Sequence, residues 1–126
     1  MKTILVDAVY CFVTDKVIDT DMHALLEQYP NRKILLTGAN DEQMVEFGLV
    51  DMPYEVFTLK HDPEKTDPAY YEQMLEHFGL SASDVVYFEH NPAAVESAEH
   101  VGIATHFWDE NKKDYAALKQ FLDTNL

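Results

Sequence analysis

Short apolar runs alternate along the chain with segments whose apolar residues recur at helical spacing. Apolar runs of this length, bounded by polar or turn-forming residues, are typical of strands buried on both faces of a parallel sheet. The predicted strands are Ile4–Asp7, Lys33–Thr37, Tyr54–Leu59, Val85–Phe88 and Ile103–Phe107. Because helical patterns separate these strands, the sequence predicts a doubly wound, mainly parallel five-stranded sheet in a three-layer α/β/α sandwich.

The segments between the predicted strands carry the start and stop signals of helices. Asn40 with Gln43 three residues later predicts a capping box, and an Asx residue followed by proline is typical of a helix start. A glycine after the last apolar position favours a left-handed helix end, as at Gly48 and Gly79. The helices are predicted to begin at Asp19 or Thr20, Asn40, Asp67, Asn91 and about Asn111, and the last is predicted to end near Asp123.

Residues 1–126 are predicted to form one domain, because no linker, internal repeat or low-complexity tract interrupts the alternating pattern. The segment Phe12–Ile18 predicts a small hairpin that turns at Asp15-Lys16, since two short β-prone arms flank a polar tip. This hairpin leaves no room for an additional domain between the first strand and the second.

Composition and charge exclude several classes of function. The apolar fraction of 47% with only four glycines and five prolines indicates a folded chain, and no apolar run is long enough to span a membrane. A net charge of −14 would repel nucleic acid and anionic lipid, so we expect neither as a partner. Cys11 is the only cysteine, and no basic segment precedes an apolar run; both facts favour the cytoplasm.

Polar side chains stand where the predicted strands end. The first strand ends at Asp7, the second at Thr37 and the fourth at Glu89-His90, while Lys65 precedes the third main helix. In a parallel sheet these strand ends share one edge, so we expect the side chains to meet in one crevice. Asp7 and Lys65 in particular are expected to lie within ion-pair distance.

The same residues lie in segments that resemble the motifs of the haloacid dehalogenase-like (HAD) hydrolases. The resemblance covers nearly the whole chain, and its segments occur in the order that is typical of the family. They read ILVDAVYCFV, ILLTG, EKTDPAYYEQMLEHFGL and VVYFEHNPAAVESAEHVGI. This resemblance implies a HAD-like Rossmannoid fold, and the short hairpin after the first strand implies the type without a cap domain.

The resemblance also implies roles for individual residues. Asp7 would be the nucleophile that forms a covalent aspartyl intermediate, as in a phosphatase. Thr37 and Gly38 would bind the transferred group, and Lys65 would stabilise the negative charge on Asp7 and on the substrate. The substrate would be a small phosphorylated molecule or a phosphoprotein, and the open site would suit a large one.

The resemblance further implies a magnesium ion, held by Asp7, the backbone carbonyl of Val9 and the acid of the fourth motif, Glu89. Several positions of the first and fourth motifs depart from the family pattern, among them Tyr10-Cys11 in place of the usual Gly-Thr. Val9 replaces the aspartate that acts as general acid and base, which would cost roughly 10²–10⁴-fold in rate. His90 replaces the main metal-binding aspartate and Ala94 replaces a further acid, so we expect weak magnesium binding because a hard cation prefers oxygen.

Two functions therefore stay open. The first is a HAD-like hydrolase, a phosphatase of altered or weak activity with Asp7 as nucleophile, supported by Thr37 and Lys65. The second is a catalytically inactive binding or regulatory protein on the same fold, supported by Val9 and His90. The sequence indicates the fold more strongly than it indicates turnover.

Overall fold

Five parallel strands form the central sheet of the computed structural model, which describes residues 1–126. The seven strands of the protein are β1 (Thr3–Asp7), β2 (Val13–Thr14), β3 (Val17–Ile18), β4 (Lys33–Thr37), β5 (Glu55–Thr58), β6 (Val85–Glu89) and β7 (Ala104–Phe107). The sheet order is β5-β4-β1-β6-β7, and every pair within the sheet is parallel. This arrangement confirms the predicted doubly wound α/β fold with β1 at the centre.

Five α-helices connect the strands, and their starts follow the capping chemistry of the sequence. They are α1 (Thr20–Leu26), α2 (Asp41–Glu46), α3 (Pro68–Phe78), α4 (Pro92–His100) and α5 (Tyr115–Asn125). The predicted capping box of α2 is present, since Asn40 and Gln43 exchange side-chain and backbone hydrogen bonds. None of these helices combines the length and the apolar character that a bilayer span requires.

The period-two alternation of β1 divides the core into two layers. Ile4 and Val6 belong to a buried cluster that includes residues of α1 and α5, whereas Leu5 belongs to a second cluster that includes residues of α3 and α4. Successive strand side chains point to opposite faces of a sheet, so one strand anchors both helical layers. The result is the predicted three-layer sandwich.

The loop after β1 leads into a two-stranded antiparallel hairpin formed by β2 and β3. Its tip is Asp15-Lys16, and both residues have positive φ values of 52° and 66°, typical of a two-residue hairpin turn. The hairpin confirms the prediction that no cap domain lies between β1 and β4.

Two helix starts needed refinement by the structure. Asp19 is the cap of α1, because its carboxylate accepts hydrogen bonds from the backbone of Asp21 and Met22. The last helix begins at Tyr115 rather than near Asn111, because Asp114 caps it. These shifts do not change the order of elements.

Candidate functional site

Asp7 lies at the carboxyl end of the central strand and is almost fully buried, with 2% of its surface exposed. The chain then makes a tight turn, in which the backbone N–H groups of Phe12 and Val13 both donate to the carbonyl of Ala8. Tyr10 takes a left-handed conformation with φ of 73°, which is uncommon for a residue with a bulky side chain. The turn therefore carries the chain away from the sheet immediately after the carboxylate.

Lys65 reaches the same point from the loop before α3. Its ammonium donates to Asp7 Oδ1 at 2.7 Å and lies 2.6 Å from Glu89 Oε1. It also donates to the carbonyl of Leu36 at 3.3 Å, and its side chain is only 14% exposed. The expected contact between Lys65 and Asp7 is thus present, and Lys65 bridges two buried carboxylates.

His90 contacts both carboxylates from the other side. Its Nδ1 pairs closely with Asp7 Oδ2 and lies 3.1 Å from Glu89 Oε2, and its backbone N–H donates to Asp7 Oδ2 at 3.2 Å. The ring of Tyr10 packs edge-on against the imidazole, with 5.1 Å between the ring centroids. His90 is therefore a central member of the site, as expected from its place at the end of the fourth predicted strand, but its contact with both carboxylates was not predicted.

Glu89 is 1% exposed and lies next to Asp7, because Val6 pairs with Phe88 one residue earlier in the two strands. The hydroxyl of Tyr87 donates to Glu89 Oε1, and the backbone N–H of Asn91 donates to Oε2 at 3.0 Å. Tyr87 is not among the site residues that the sequence predicts. Its spacing of two from Glu89 places both side chains on one face of the strand, and that signal could have identified it.

The four charged groups shift one another's pKa values. Burial raises the pKa of Asp7, and the charge of Glu89 raises it further against the opposing effects of Lys65 and His90. Burial also acts to raise the pKa of Glu89, but the Lys65 ammonium and the hydrogen bonds that the carboxyl makes to its neighbours together hold the pKa well below the usual range. The pKa values of the two carboxyls are therefore shifted in opposite directions, and the two groups titrate as one interacting pair.

Both basic groups are stabilised in their charged forms. Burial lowers the pKa of His90, but its hydrogen bonds to Asp7 and Glu89 outweigh this effect and raise the pKa to about 10. Burial likewise opposes the charge of Lys65, yet the two carboxylates raise its pKa well above the usual range. At neutral pH the site therefore holds two cations, Lys65 and His90, against the carboxyl groups of Asp7 and Glu89.

Thr37 and Gly38 lie at the end of the neighbouring strand. The Thr37 hydroxyl accepts a hydrogen bond from the backbone N–H of Ala39 at 3.2 Å, so it is free to donate to a ligand. A Cβ on Gly38 would lie 3.5 Å from the ring of His61, so this residue faces the loop before Lys65. The structure thus places both predicted residues at the correct edge, but their binding roles stay predictions.

The carboxylate oxygens of this site, as they are arranged, do not form a set of ligands that fits a magnesium ion. Each oxygen of Asp7 and Glu89 already faces a donor of the chain, and magnesium requires near-octahedral oxygen ligands at about 2.0–2.1 Å. Val9 contributes no acidic side chain. The predicted magnesium site at Asp7, the Val9 carbonyl and Glu89 stays a prediction, and the ion would have to compete with these internal hydrogen-bond donors.

Asp7, Cys11 and His90 form a second possible ligand set, with one oxygen, one sulfur and one nitrogen atom within 4.8 Å of one another. Such a mixture suits zinc better than magnesium. However, the thiol donates to Asp7 Oδ2 at 3.4 Å, and burial together with the charges of Asp7 and Glu89 raises the pKa of Cys11 well above its ordinary value. Cys11 is therefore a protonated hydrogen-bond donor here.

The largest cleft lies beside the Asp7 turn and not over the carboxylate. It has a volume of about 520 Å³, and its lining combines apolar side chains with three charged ones. The lining residues are Val9, Tyr10, Val13, Asp15, Lys16, Glu46 and Phe47. The turn after β1 thus separates the charged site from the most spacious concave surface of the protein.

No protein-family model matches the chain, and no curated protein does so either. Solved structures do match. One is a HAD family enzyme from Bacteroides thetaiotaomicron, an aspartate-to-alanine mutant in complex with magnesium and inorganic phosphate, with a TM-score of 0.71 and 12% identity over 94% of this chain and 98% of that chain.

Two further matches cover 98% of this chain and 96% of the other. One is an uncharacterized protein from Corynebacterium glutamicum, with a TM-score of 0.63 and 15% identity. The other is the core domain of a protein from Streptococcus pneumoniae that is provisionally assigned as a phosphoglycolate phosphatase, with a TM-score of 0.60 and 14% identity. Together with the strand order and the central carboxylate, these matches show that the chain has the fold of the haloacid dehalogenase-like hydrolases.

Proposed function

We propose that this protein uses the HAD-like fold to bind a ligand or partner in the cytoplasm and does not hydrolyse phosphate esters at Asp7. The observation that carries the proposal is the state of the Asp7 carboxylate. It is 2% exposed, Lys65 occupies one oxygen at 2.7 Å, and the His90 ring and backbone occupy the other.

A nucleophilic carboxylate needs an oxygen lone pair directed at the reacting atom, at about 3–3.5 Å. Both oxygens of Asp7 instead face donors of the chain: three donors from Cys11 and His90 contact Oδ2, and Lys65 contacts Oδ1. These donors compete with attack, and withdrawal of either cation would leave a buried charge uncompensated, which typically costs 3–5 kcal/mol. The resting geometry therefore opposes the covalent step.

The proton transfer that completes phosphate-ester hydrolysis also lacks its usual group. Val9 stands two residues after Asp7 and has no proton to donate or accept. Without a general acid and base, hydrolysis would lose roughly 10²–10⁴-fold in rate. The closed carboxylate and the missing acid act on different steps, so their effects on turnover would combine.

The cleft of about 520 Å³ beside the Asp7 turn is the binding surface that we favour. Its volume lies within the range of small-molecule sites, about 300–1,000 Å³. Tyr10 is 46% exposed and offers an aromatic face, while Lys16 and Glu46 lie on its lining. A ligand with an apolar or aromatic portion and a charged end would match this combination.

A weak hydrolase is the second candidate, and the contact between Lys65 and Asp7 at 2.7 Å favours it. In that function Asp7 is the nucleophile, and Thr37, Gly38 and Lys65 bind the transferred phosphoryl group of a small phosphorylated molecule or a phosphoprotein. Weak magnesium binding would accompany this activity.

Turnover of a small aryl phosphate separates the two candidates. We expect the wild-type protein to show no hydrolysis above that of the Asp7→Asn variant, with and without magnesium. The double variant Val9→Asp/His90→Asp restores an acid and an oxygen ligand, and we expect it to exceed both single variants by more than their summed effects. Wild-type turnover that disappears in Asp7→Asn would overturn the proposal and establish the hydrolase.

A further inference from the structure

The imidazole of His90 lies between the two buried carboxylates of the site. Its Nδ1 pairs with Asp7 Oδ2 and lies 3.1 Å from Glu89 Oε2. A single ring nitrogen that faces one oxygen of each carboxylate bridges them as a small cation would. The backbone N–H of His90, at 3.2 Å from Asp7 Oδ2, fixes the residue in that position.

We infer that His90 takes the place of a divalent cation in this site, so that Asp7 and Glu89 are held in a complete cluster without a metal ion. The inference goes beyond the proposed function, because it holds equally for a protein that binds and for one that turns over.

The first argument is the occupancy of the carboxylate oxygens. Lys65 contacts Asp7 Oδ1 at 2.7 Å and Glu89 Oε1 at 2.6 Å, and His90 contacts the remaining oxygen of each residue. Cys11 donates to Asp7 Oδ2 as well, and Asn91 donates to Glu89 Oε2. Every oxygen of the two carboxylates therefore already contacts a donor of the chain, and a cation would have to compete with these donors.

The second argument is charge. Asp7 and Glu89 are 2% and 1% exposed, and two buried carboxylates without compensation would be strongly destabilising. Lys65 contacts one oxygen of each carboxylate, and the His90 ring nitrogen lies between the other two. The chain itself therefore supplies the polar partners that both buried carboxyl groups need.

The third argument is the support of the imidazole. The Tyr10 ring packs edge-on against it at 5.1 Å between centroids, and the left-handed turn at Tyr10 holds that ring in place. The His90 side chain is 23% exposed, so its orientation is fixed mainly by the chain and only partly by solvent. The imidazole of His90 is therefore held by the carboxylates on one side and by the Tyr10 ring on the other.

The test is a magnesium titration that is followed by amide NMR shifts and by thermal unfolding, with no activity readout. The variants are His90→Asp, which offers an oxygen ligand, and His90→Asn, which only removes the imidazole. His100→Asp is the matched control, because it makes the same exchange at an exposed position of α4.

We expect no saturable shift at the amides of Asp7 and Glu89 in the wild-type protein and in His100→Asp. In His90→Asp, magnesium should bind at these amides at least about tenfold more tightly than in the wild type, a difference of about 1.4 kcal/mol. The same variant should also unfold at a higher temperature when magnesium is added, since a ligand of the folded state stabilises it.

Saturable magnesium binding at the wild-type site would overturn the inference, and this outcome does not depend on whether any variant folds. If both His90→Asp and His90→Asn fold but bind no better than the wild type, the imidazole is not what excludes the metal and the inference also fails. Zinc is titrated in parallel, and stoichiometric binding to the wild type that is lost in Cys11→Ala would overturn it as well. Metal-free turnover by the wild type would refute the proposed function alone.

Discussion

Replacing Lys65 with methionine removes one of the two cations of the site while keeping a long, unbranched side chain. The ammonium contacts Asp7 at 2.7 Å and Glu89 at 2.6 Å, and the two carboxylate side chains are 3% and 1% exposed. Removing one partner of a buried ion pair typically costs about 3–5 kcal/mol, because the other charge stays buried without compensation. Folding stability for a domain of this kind is about 5–15 kcal/mol, so the loss should be readily measured.

The matched control is Lys60→Met, since Lys60 pairs with Asp41 at 3.1 Å on the surface. The two side chains of that pair are 57% and 83% exposed, and exposed pairs contribute about 0–1 kcal/mol. Urea unfolding of both variants at pH 7 should separate them by several kcal/mol. A Lys65→Met variant that unfolds within about 1 kcal/mol of Lys60→Met would refute the assignment of Lys65 as the cation that compensates a buried pair.

The pH dependence gives an independent signature. In the wild type the pKa of Glu89 lies well below its ordinary value of 4.5, so its contribution to stability is present above that pH and is lost as the pH falls through the folded-state value. In Lys65→Met the ammonium is gone, and burial raises the pKa of the Glu89 carboxyl in the folded state above its value in the unfolded state. Protonation of this carboxyl on acidification therefore removes the uncompensated buried charge and stabilises the variant. The stability gap between wild type and variant should therefore narrow from pH 7 to pH 4.5, and a gap that widens would contradict this account.

Two further predictions follow from the same structure. The pKa of His90 is raised to about 10 from an ordinary 6.5, so its contribution to stability is complete below pH 6.5 and is lost as the pH rises toward 10. In urea unfolding, the free energy of unfolding of His90→Gln should therefore decline less across that range than that of the wild type, by roughly 1.5–3 kcal/mol. Gly48 and Gly79 both have left-handed backbones, but a Cβ would lie 2.8 Å from Lys16 Cα at Gly48 and meets nothing within 4 Å at Gly79. Replacement with alanine should cost about 1–2 kcal/mol at Gly79 and distinctly more at Gly48, and equal costs in thermal unfolding would show that the hairpin moves aside.

The sequence predicted which residues lie at the carboxyl edge of the sheet. Parallel strands end at a common edge, so Asp7 and Glu89 were expected at that edge, and their direct contact follows from the pairing of β1 with β6 that the structure shows. The contact of Lys65 with Asp7 followed from the same reasoning, because the loop before α3 returns to that edge. These expectations depend on strand direction alone and need no side-chain detail.

The orientation of His90 could not be predicted in this way. Its position is fixed by the strand end, but its contact with both carboxylates depends on one side-chain rotamer and on the left-handed turn at Tyr10. Neither is encoded by the hydrophobic pattern. The sequence identified His90 as a poor magnesium ligand, but it gave no indication that the imidazole bridges Asp7 and Glu89.

The start of the last helix was predicted too early for a different reason. Asp109, Asn111 and Asp114 are all suitable caps, and local sequence does not decide among such competitors. In the structure Asp109 accepts backbone hydrogen bonds from the turn that follows it, while Asp114 accepts one from Ala117 and opens α5. Tertiary packing of the helix selects the last of the three.

Because Cys11 is buried, the reactivity of this single thiol reports how often the turn after β1 opens. The side chain is 1% exposed, and the raised pKa of the thiol leaves almost no thiolate, the form that reacts with alkylating reagents. An alkylating reagent can therefore label Cys11 only when the segment that carries Asp7 opens and exposes the thiol to solvent. Its rate, followed by mass spectrometry under native conditions, would measure how often the most deeply enclosed charges of the molecule become accessible to water.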